Sequence, residues 1–189
     1  MSGTRLILLA ASLLLSAGLS ARERLVGLYQ SPKGVGVSAI FDTTGGREMN
    51  IFTLRTDFYG VLTGRTSDIG ACLVYTHDYT FFRQDTEQYS LLLHAGAGGM
   101  AGYAHDFEKG IFGAYDRELV LNPGWSFALA GNIGLRVDFC RRLTFDVSIS
   151  LLPGVHIRMD NKTGAVLAGF YRNGVYQAFF PPFNLMYRF

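Results

Sequence analysis

Apolar and polar residues alternate with a period of two along most of the chain from about residue 34 onward. In the segment RLTFDVSISL, the odd-numbered positions from Leu143 to Leu151 are all apolar, and the positions between them are polar. Because successive side chains of a β-strand point to opposite faces, this period predicts strands with one apolar face each. The segments around residues 125–139 and 88–106 repeat the pattern.

The alternating segments predict about eight strands, and turn-rich stretches such as TTGGRE, TGRTSD and RQDTEQ separate several of them. The predicted strands lie near 34–43, 47–61, 68–82, 88–106, 125–139, 142–158, 164–172 and 175–189. If residues 107–124 and residues 25–30 also pair, ten strands result. We favour eight.

Two connections between these strands have the sequence of hairpin turns. Little more than CRR joins the segments 125–139 and 142–158. Asn173 and Gly174 form the Asn-Gly pair that favours a type I′ turn, which needs positive φ at both central residues. Both features predict antiparallel neighbours.

The composition suits one apolar domain with no electrostatic partner. Of the 189 residues, 49% are hydrophobic, 14% are aromatic and only 17% are charged, and the net charge is +2. This charge is too small to indicate a nucleic-acid partner. The three lysines are Lys33, Lys109 and Lys162. Such scarcity suggests that much of the surface faces something other than water.

The first residues, MSGTRLILLAASLLLSAGLSA, have the pattern of a secretory signal peptide. Arg5 precedes an apolar run from Leu6 to Leu15, and small residues follow it. We therefore expect residues 1–21 to be a signal peptide and residues 22–189 to be one β-barrel domain. An exported, apolar chain without a helical span is either a soluble β-protein or a membrane barrel.

The polar face of the alternating strands favours the membrane barrel. It carries Gly, Ser, Thr and Asn with a few Arg and Asp, whereas a water-exposed face would be dense in Lys and Glu. Small residues mixed with opposite charges fit a narrow lumen, and the uninterrupted apolar face fits lipid. The predicted fold is all-β: a closed antiparallel up-and-down transmembrane β-barrel.

The end of the chain, PPFNLMYRF, resembles the C-terminal β-signal of Gram-negative outer-membrane proteins. Leu185, Tyr187 and Phe189 are the alternating hydrophobic residues of that motif. The segments DFYGVLTGRTS, AGYAHD, GNIGLR and YRNGVYQAFFP are similar to those of a subgroup of small outer-membrane barrels. In architecture these barrels resemble the transmembrane domain of outer-membrane protein A.

The resemblance implies integration into the cell outer membrane with the help of the barrel-assembly machinery, which reads the β-signal. It also implies that both termini lie in the periplasm. With eight strands, TTGGRE, RQDTEQ, CRR and the Asn173-Gly174 hairpin would then face outward. Residues 107–124 would form a long periplasmic connection, which departs from the short periplasmic turns of such barrels.

Seven charged residues fall on the face assigned to the lumen. They are a candidate ion-pair network: Arg55, Asp57, Arg136, Asp138, Asp146, Arg158 and Arg188. The network could line a polar path or fill the lumen. Because an eight-stranded barrel is only wide enough for its own side chains, we favour the filled lumen.

Catalytic or metal chemistry has little local support in this sequence. Ser90 with His94, or Ser148 and Ser150 with His156 and Asp146, supply a nucleophile and a base, but no nucleophile-elbow motif accompanies them. No metal-binding motif accompanies the four histidines, so we expect no metal, no cofactor and no catalytic residues. Cys72 and Cys140 are expected to be two unpaired small residues rather than a disulfide.

The segment FYRNGVYQAFFPP is a candidate surface hairpin for binding. Its members would be Tyr171, Asn173, Gly174, Tyr176, Phe179 and Phe180. Aromatic residues are enriched in binding patches, but they also form girdles at the membrane interface. Both interpretations remain open.

We therefore expect a structural or surface-interaction protein of the outer membrane that lacks catalysis. Its expected partners are outer-membrane lipid, the barrel-assembly machinery and a surface or envelope protein, with no nucleic acid. The alternatives are a lipid-modifying enzyme, and a narrow channel or accessory subunit of an envelope complex.

Overall fold

Ten β-strands and one short helical segment make up the part of the chain that the computed structural model describes, which is residues 23–58, 62, 70–104, 124–139, 142–160, 163–179 and 181–189. The predicted signal peptide, Cys140, Phe180 and most of the segment 107–124 lie outside these residues. The strands are β1 (Glu23–Ser31), β2 (Gly34–Asp42), β3 (Glu48–Thr56), β4 (Ala71–Asp85), β5 (Tyr89–Ala104), β6 (Gly124–Phe139), β7 (Leu143–Leu151), β8 (Gly154–Met159), β9 (Val166–Phe170) and β10 (Phe183–Arg188). Helix α1 (Arg172–Tyr176) and a 3-10 helix (Gln177–Phe179) form the helical segment between β9 and β10.

Eight of the strands close into an antiparallel barrel. Strands β1 to β7 pair in sequence order, and β10 lies between β7 and β1. The closing pair runs antiparallel, with Val26 opposite Tyr187 and Gln30 opposite Phe183. The predicted closed antiparallel barrel of eight strands is confirmed.

The first strand of the barrel is one that the eight-strand prediction left out. Residues 23–31 form β1 and pair with β2 and β10 along their length. Gly27 interrupts the apolar pattern here, and an added Cβ at this position would overlap the Leu185 carbonyl group. Glycine is therefore required by the close approach of β10.

The predicted strand 142–158 is interrupted, and the predicted strand 175–189 is shortened because its first residues are helical. The segment 142–158 divides into β7 and β8, which pair one after the other with the 16-residue strand β6. Pro153, which has no N–H for a ladder hydrogen bond, follows the break at Leu152. Beside them, β9 pairs with β8 and β10 pairs with β7. Strands β8 and β9 thus extend two columns of the barrel wall beyond the eight-stranded ring.

The strands are staggered around the barrel. Starting from Val26 on β1, the paired residues can be followed from strand to strand around the ring. In one direction the pairs pass through β2, β3 and β4 and reach Gly99 on β5. In the other direction they pass through β10, β7 and β6 and reach Tyr89 on β5. These two positions on β5 are ten residues apart. Such a stagger means that the strands tilt relative to the barrel axis, by about 35–45° in barrels generally.

We call the end of the barrel where β1 begins and β10 ends the proximal end, and the other end the distal end. The connections β2–β3, β4–β5 and β6–β7 lie at the proximal end, because Glu23 pairs with Asp42 and Tyr89 with Phe139. The prediction that TTGGRE, RQDTEQ and CRR lie opposite the termini is therefore wrong. The additional strand β1 reverses the predicted direction of β2 to β9, so β5 and β6 connect at the distal end instead, whereas β10 still ends beside the start of β1.

The two faces of the wall differ as the alternation predicts. On β6, Leu129 and Ile133 are exposed to 73% and 52%, whereas Ala130 and Arg136 are exposed to 3% and 1%. On β10, Leu185 points outward and Met186 is buried. Large apolar residues thus cover most of the outer wall, and the charged residues of these two faces point mainly into the lumen.

Candidate functional site in the barrel lumen

The centre of the lumen contains a histidine between two aspartates. His94 on β5 places Nδ1 2.7 Å from Oδ2 of Asp78 on β4, and Nε2 2.9 Å from Oδ2 of Asp146 on β7. All three residues are buried. Because ionised carboxylates only accept hydrogen bonds, an imidazolium ring with an N–H at each nitrogen satisfies both contacts. This group therefore joins β4, β5 and β7 by charge-assisted hydrogen bonds.

Two glycines make room for this arrangement. Gly134 on β6 lies opposite His94, and an added Cβ there would overlap the imidazole ring. The ring can therefore cross β6 and reach β7. Gly96 lies opposite Asp78, and an added Cβ there would overlap its carboxylate.

Amide and hydroxyl groups extend these contacts around the lumen. Asn132 Nδ2 donates to Asp78 Oδ2 (2.8 Å), and Asn184 Nδ2 donates to Asp146 Oδ1 (3.2 Å). Ser38 Oγ donates to Asn184 Oδ1 at 2.9 Å and also lies 2.9 Å from the hydroxyl of Thr53. We call the connected set the polar belt. Its members come from seven of the eight barrel strands: Thr53, Asp78, His94, Asn132, Asp146, Asn184 and Ser38.

A second charged group lies at the proximal rim. Asp138 accepts hydrogen bonds from Nε of Arg136 at 2.9 Å and from the Thr144 hydroxyl group at 2.6 Å, and it forms an ion pair with Arg188, whose Nη2 lies 2.6 Å away. Arg188 Nε also lies 3.5 Å from Glu23 Oε2 on β1. This rim network joins β6, β7, β10 and β1, so it bridges the closing strands.

Arg55 has partners of a different kind. Its Nε donates to Cys72 Sγ at 2.9 Å, and its Nη2 donates to Met100 Sδ at 3.7 Å. The guanidinium group is buried near the distal end of the lumen. It therefore contacts sulfur atoms rather than the predicted ion-pair partners.

The predicted lumen network thus consists of separate groups in the structure. Arg136, Asp138 and Arg188 come together at the rim, whereas Asp146 belongs to the polar belt. Asp57 follows the end of β3, where its carboxylate accepts from the backbone N–H of Gly70. Arg158 is half-buried on β8, beyond the ring of eight strands.

Apolar clusters lie on both sides of the polar belt. The proximal cluster consists of Leu25, Ile40, Met49, Ile51 and Met186. The distal cluster consists of Cys72, Val74, Met100, Ala130, Leu152 and Tyr171. A cavity of about 30 Å³ lies between them, beside Arg55 and Asp146. It has the volume of about one water molecule.

The predicted hairpin turn at Asn173 and Gly174 is wrong, and a binding role for this segment stays a prediction. Residues 172–179 are helical, and among the described glycines only Gly45, Gly46 and Gly164 have positive φ. Gly174 instead packs against the backbone of Leu152, and its carbonyl oxygen accepts from Leu152 N at 3.1 Å. Tertiary contact therefore overrides the local turn preference of the Asn-Gly pair.

The two named aromatic side chains of this segment that the structure describes, Tyr171 and Phe179, lie in different environments. Tyr171 is buried and stacks on His156, with 6.4 Å between the ring centroids. Asn173 is also buried, and its Oδ1 accepts from Lys33 Nζ at 3.2 Å. Phe179 is exposed to 67%. The backbone of Tyr176 ends helix α1.

The residues assigned to the assembly signal lie on the outer face of β10. Leu185, Tyr187 and Phe189 are exposed to 53%, 39% and 78%. Tyr187 and Phe189 form an edge-to-face ring pair with centroids 5.1 Å apart. Their recognition by an assembly machinery stays a prediction.

The candidate catalytic pairs are not assembled as the sequence suggested. His94 contacts two aspartates, and His156 Nδ1 lies 2.8 Å from the Ser126 hydroxyl group. Ser150 donates to Asn132 (3.2 Å). Sequence reasoning missed Asp78 and Ser126, because their partners are 16 and 30 residues away and depend on strand register.

Three further features of the described residues bear on chemistry. Cys72 is a free, buried thiol. No group of three or more His, Cys, Asp or Glu side chains in the described part of the chain could hold a metal ion. The described helices are all too short or too polar to span a bilayer.

Comparison with known proteins finds a likeness in fold. No family profile matches the chain, and neither does a curated protein sequence. Among solved structures, the chain is similar to the N-terminal β-barrel domain of OprF from Pseudomonas aeruginosa, with 10% identity and a TM-score of 0.49. The alignment covers 88% of this chain and 96% of that domain.

Proposed function

We propose that this protein is an integral outer-membrane β-barrel with a structural or surface-interaction role, whose lumen is closed by its own side chains. The polar belt is the main support for the proposal that the lumen is closed. Its hydrogen bonds cross the barrel between two apolar clusters. An ion would have to break buried charge-assisted bonds to pass, which is costly.

The outer wall supports the membrane location. Large apolar side chains are exposed on every strand of the barrel, including Leu28, Val37, Leu54, Leu129 and Leu185. In water such a continuous surface would aggregate. In a bilayer it meets hydrocarbon, and the closed barrel leaves no unpaired strand edge.

Conductance in planar bilayers tests the closed lumen. We expect the purified protein to give no stable open currents, and we expect a His94→Gly/Asp78→Gly/Asp146→Gly variant to give more current because it removes the cross-lumen bonds. Stable currents from the wild-type protein would favour the alternative, a narrow channel.

Membrane fractionation tests the location. We expect the protein in the outer-membrane fraction, with a gel mobility that changes on heating because the closed barrel resists detergent. A soluble periplasmic protein without this shift would contradict the membrane assignment.

A lipid-modifying enzyme is the second candidate, and the 2.8 Å contact between Ser126 and His156 favours it. A serine and a histidine at this distance are a nucleophile and a base. Against it, Ser126 is fully buried and His156 is 4% exposed. Lipid turnover that disappears in both Ser126→Ala and His156→Ala would support the enzyme.

A further inference from the structure

A polar cluster lies on the outer wall of the barrel, among apolar residues. Asn50 on β3 and His77 on β4 are paired in register, and both point outward. Asn50 Oδ1 accepts from the Tyr75 hydroxyl group (2.9 Å) and lies 2.9 Å from His77 Nδ1. His77 therefore carries its proton on Nδ1 to donate to the amide oxygen.

This cluster retains hydrogen-bonding capacity toward the outside. Among the described residues, neither Asn50 Nδ2 nor His77 Nε2 has a hydrogen-bond partner. Both side chains are only half-buried. Asn50 Nδ2 is a donor, and His77 Nε2 is an acceptor when Nδ1 carries the proton.

An apolar depression of about 670 Å³ begins beside this cluster. We call it the outer depression. It exists because Gly99 and Ala101 on β5 are small, while their neighbours on β4 and β6 are large. The rim includes Tyr75, Phe127, Leu129 and Val155.

The polar cluster and the outer depression follow one another along the wall. His77 lies opposite Ala97, Tyr75 opposite Gly99 and Leu73 opposite Ala101. On the proximal side of His77, Tyr79 is exposed to 55% and its ring contacts the imidazole at 4.9 Å. Exposed aromatic residues mark the head-group level of a membrane barrel. The polar groups thus lie near the proximal interface, and the outer depression lies deeper.

We infer that this part of the wall binds one phospholipid with an ethanolamine head group, an inference that rests on the proposed membrane location. The ammonium group donates to His77 Nε2, and the phosphate accepts from Asn50 Nδ2. An acyl chain lies along Tyr75 and fills the outer depression. The ethanolamine head group has an ammonium donor beside a phosphate acceptor, so it complements the adjacent acceptor His77 Nε2 and donor Asn50 Nδ2. The apolar surface of the outer depression complements the hydrocarbon chain.

Native mass spectrometry of the purified protein in detergent tests this site, with dioleoylphosphatidylethanolamine as the probe. An added Cβ at Gly99 meets only the Ala128 carbonyl oxygen, at 3.7 Å, so the backbone leaves room for the larger side chain of Gly99→Leu, which occupies part of the outer depression. Gly169→Leu is the matched control, because an added Cβ there meets nothing within 4 Å and β9 lies outside the ring of eight strands.

We expect a one-to-one complex with the wild-type protein and with Gly169→Leu. Gly99→Leu should weaken it about tenfold, because several buried methylene contacts are lost. His77→Phe should weaken it similarly, and phosphatidylcholine, which has no N–H donor, should bind the wild-type protein more weakly than phosphatidylethanolamine.

Equal retention of both lipids by all variants would overturn the site, since it would indicate only a nonselective lipid layer. A change from dimer to monomer in Gly99→Leu, without a change in lipid binding, would mean that a second copy covers the outer depression. Heat-modifiable migration of each variant separates these outcomes from misfolding. Equal binding of the two lipids by the wild-type protein, with its mobility shift intact, contradicts this inference and leaves the proposed function standing.

Discussion

His94 connects three strands through one side chain, which makes it the residue on which the lumen depends most. Its two contacts bring two buried aspartates together. Without the histidine, two carboxylates would remain in the lumen with hydrogen bonds from asparagine side chains but no opposite charge in contact. Removing one partner of a buried charged group usually costs more than the group contributed.

We therefore expect His94→Leu to destabilise the folded barrel by about 3–5 kcal/mol. Urea unfolding in detergent or lipid vesicles measures this. Asp85→Asn, which breaks an exposed ion pair with Arg83, is the control and should leave the unfolding free energy nearly unchanged. Adding Asp78→Asn and Asp146→Asn to His94→Leu should recover part of the loss. If His94→Leu and Asp85→Asn cost the same, the central role of His94 is wrong.

Gly134 and Gly131 lie on the same strand but face opposite sides of the wall. A methyl group at Gly134 would overlap His94, whereas an added Cβ at Gly131 meets only the Leu151 carbonyl oxygen, at 3.9 Å. We expect Gly134→Ala to cost about 1–3 kcal/mol in unfolding free energy, as overpacked substitutions do. Gly131→Ala should be nearly neutral. The same unfolding assay compares them, and equal effects would contradict the account of Gly134.

The sequence correctly predicted which side of the barrel wall a side chain faces, but it did not predict which side chain it contacts across the lumen. The period of two correctly placed Leu185 outside and Met186 inside. It could not pair Asp78 with His94, because that contact depends on the register between β4 and β5 and on the glycines opposite. Local patterns fix which way a side chain points, but a cross-lumen contact depends on closure of the whole ring.

At the scale of elements, the helical segment shows how tertiary contact decides between local options. Asn173 and Gly174 favour a tight turn by themselves. In the folded chain, Lys33 binds Asn173, and the backbone of Leu152 approaches Gly174. Tyr171 then enters the distal apolar cluster. The sequence could not reveal this because residues 33 and 152 are far from the segment along the chain.

We expect Gly174→Ala to loosen the helical segment, because a Cβ there would overlap the Leu152 carbonyl group. The unfolding free energy should fall by about 1–3 kcal/mol. Limited proteolysis should cleave the variant faster than wild type within residues 171–179. Gly169→Ala, where an added Cβ meets nothing within 4 Å, serves as the control. Identical cleavage of both variants would rule out the packing role.

The outer face of β10 carries a prediction about assembly. Tyr187→Ser with Phe189→Ser should reduce the amount of folded protein in the outer membrane, because it removes the aromatic residues of the assembly signal. Heat-modifiable protein in membrane fractions measures this amount. Phe179→Ser changes an exposed aromatic outside β10 and should have no such effect. Equal losses would indicate a general need for surface aromatics.

The whole molecule is held together as a ring by pairing between β1 and β10. The sequence predicted a closed ring of eight strands, because apolar alternation and a polar small-residue face leave few other arrangements. It did not identify β1, whose short pattern is interrupted by Gly27. It also read β7 and β8 as one strand across Pro153, because tandem strands and a single strand share one period, and it extended the last strand back through the helical segment to residue 175.

We expect cysteines at Val26 and Tyr187 to cross-link in the folded protein, since these positions are paired. Cysteines at Leu28 and Tyr187, two residues out of register, should cross-link less. Both variants carry Cys140→Ser, and gel mobility after mild oxidation measures the product. Equal yields from the two pairs would contradict the register of the closing strands.

The hydrogen bond between Ser38 and Asn184 can form only late in folding. It joins β2 to β10 across β1, so it can form only after segments about 146 residues apart along the chain have met. Contacts of such sequence separation slow folding, because chain entropy is lost before the contact is gained. Until then, the polar belt is incomplete and its aspartates remain open to water. The rate at which the ring closes, rather than the rate at which individual strands form, should therefore set how long the chain remains vulnerable to proteases.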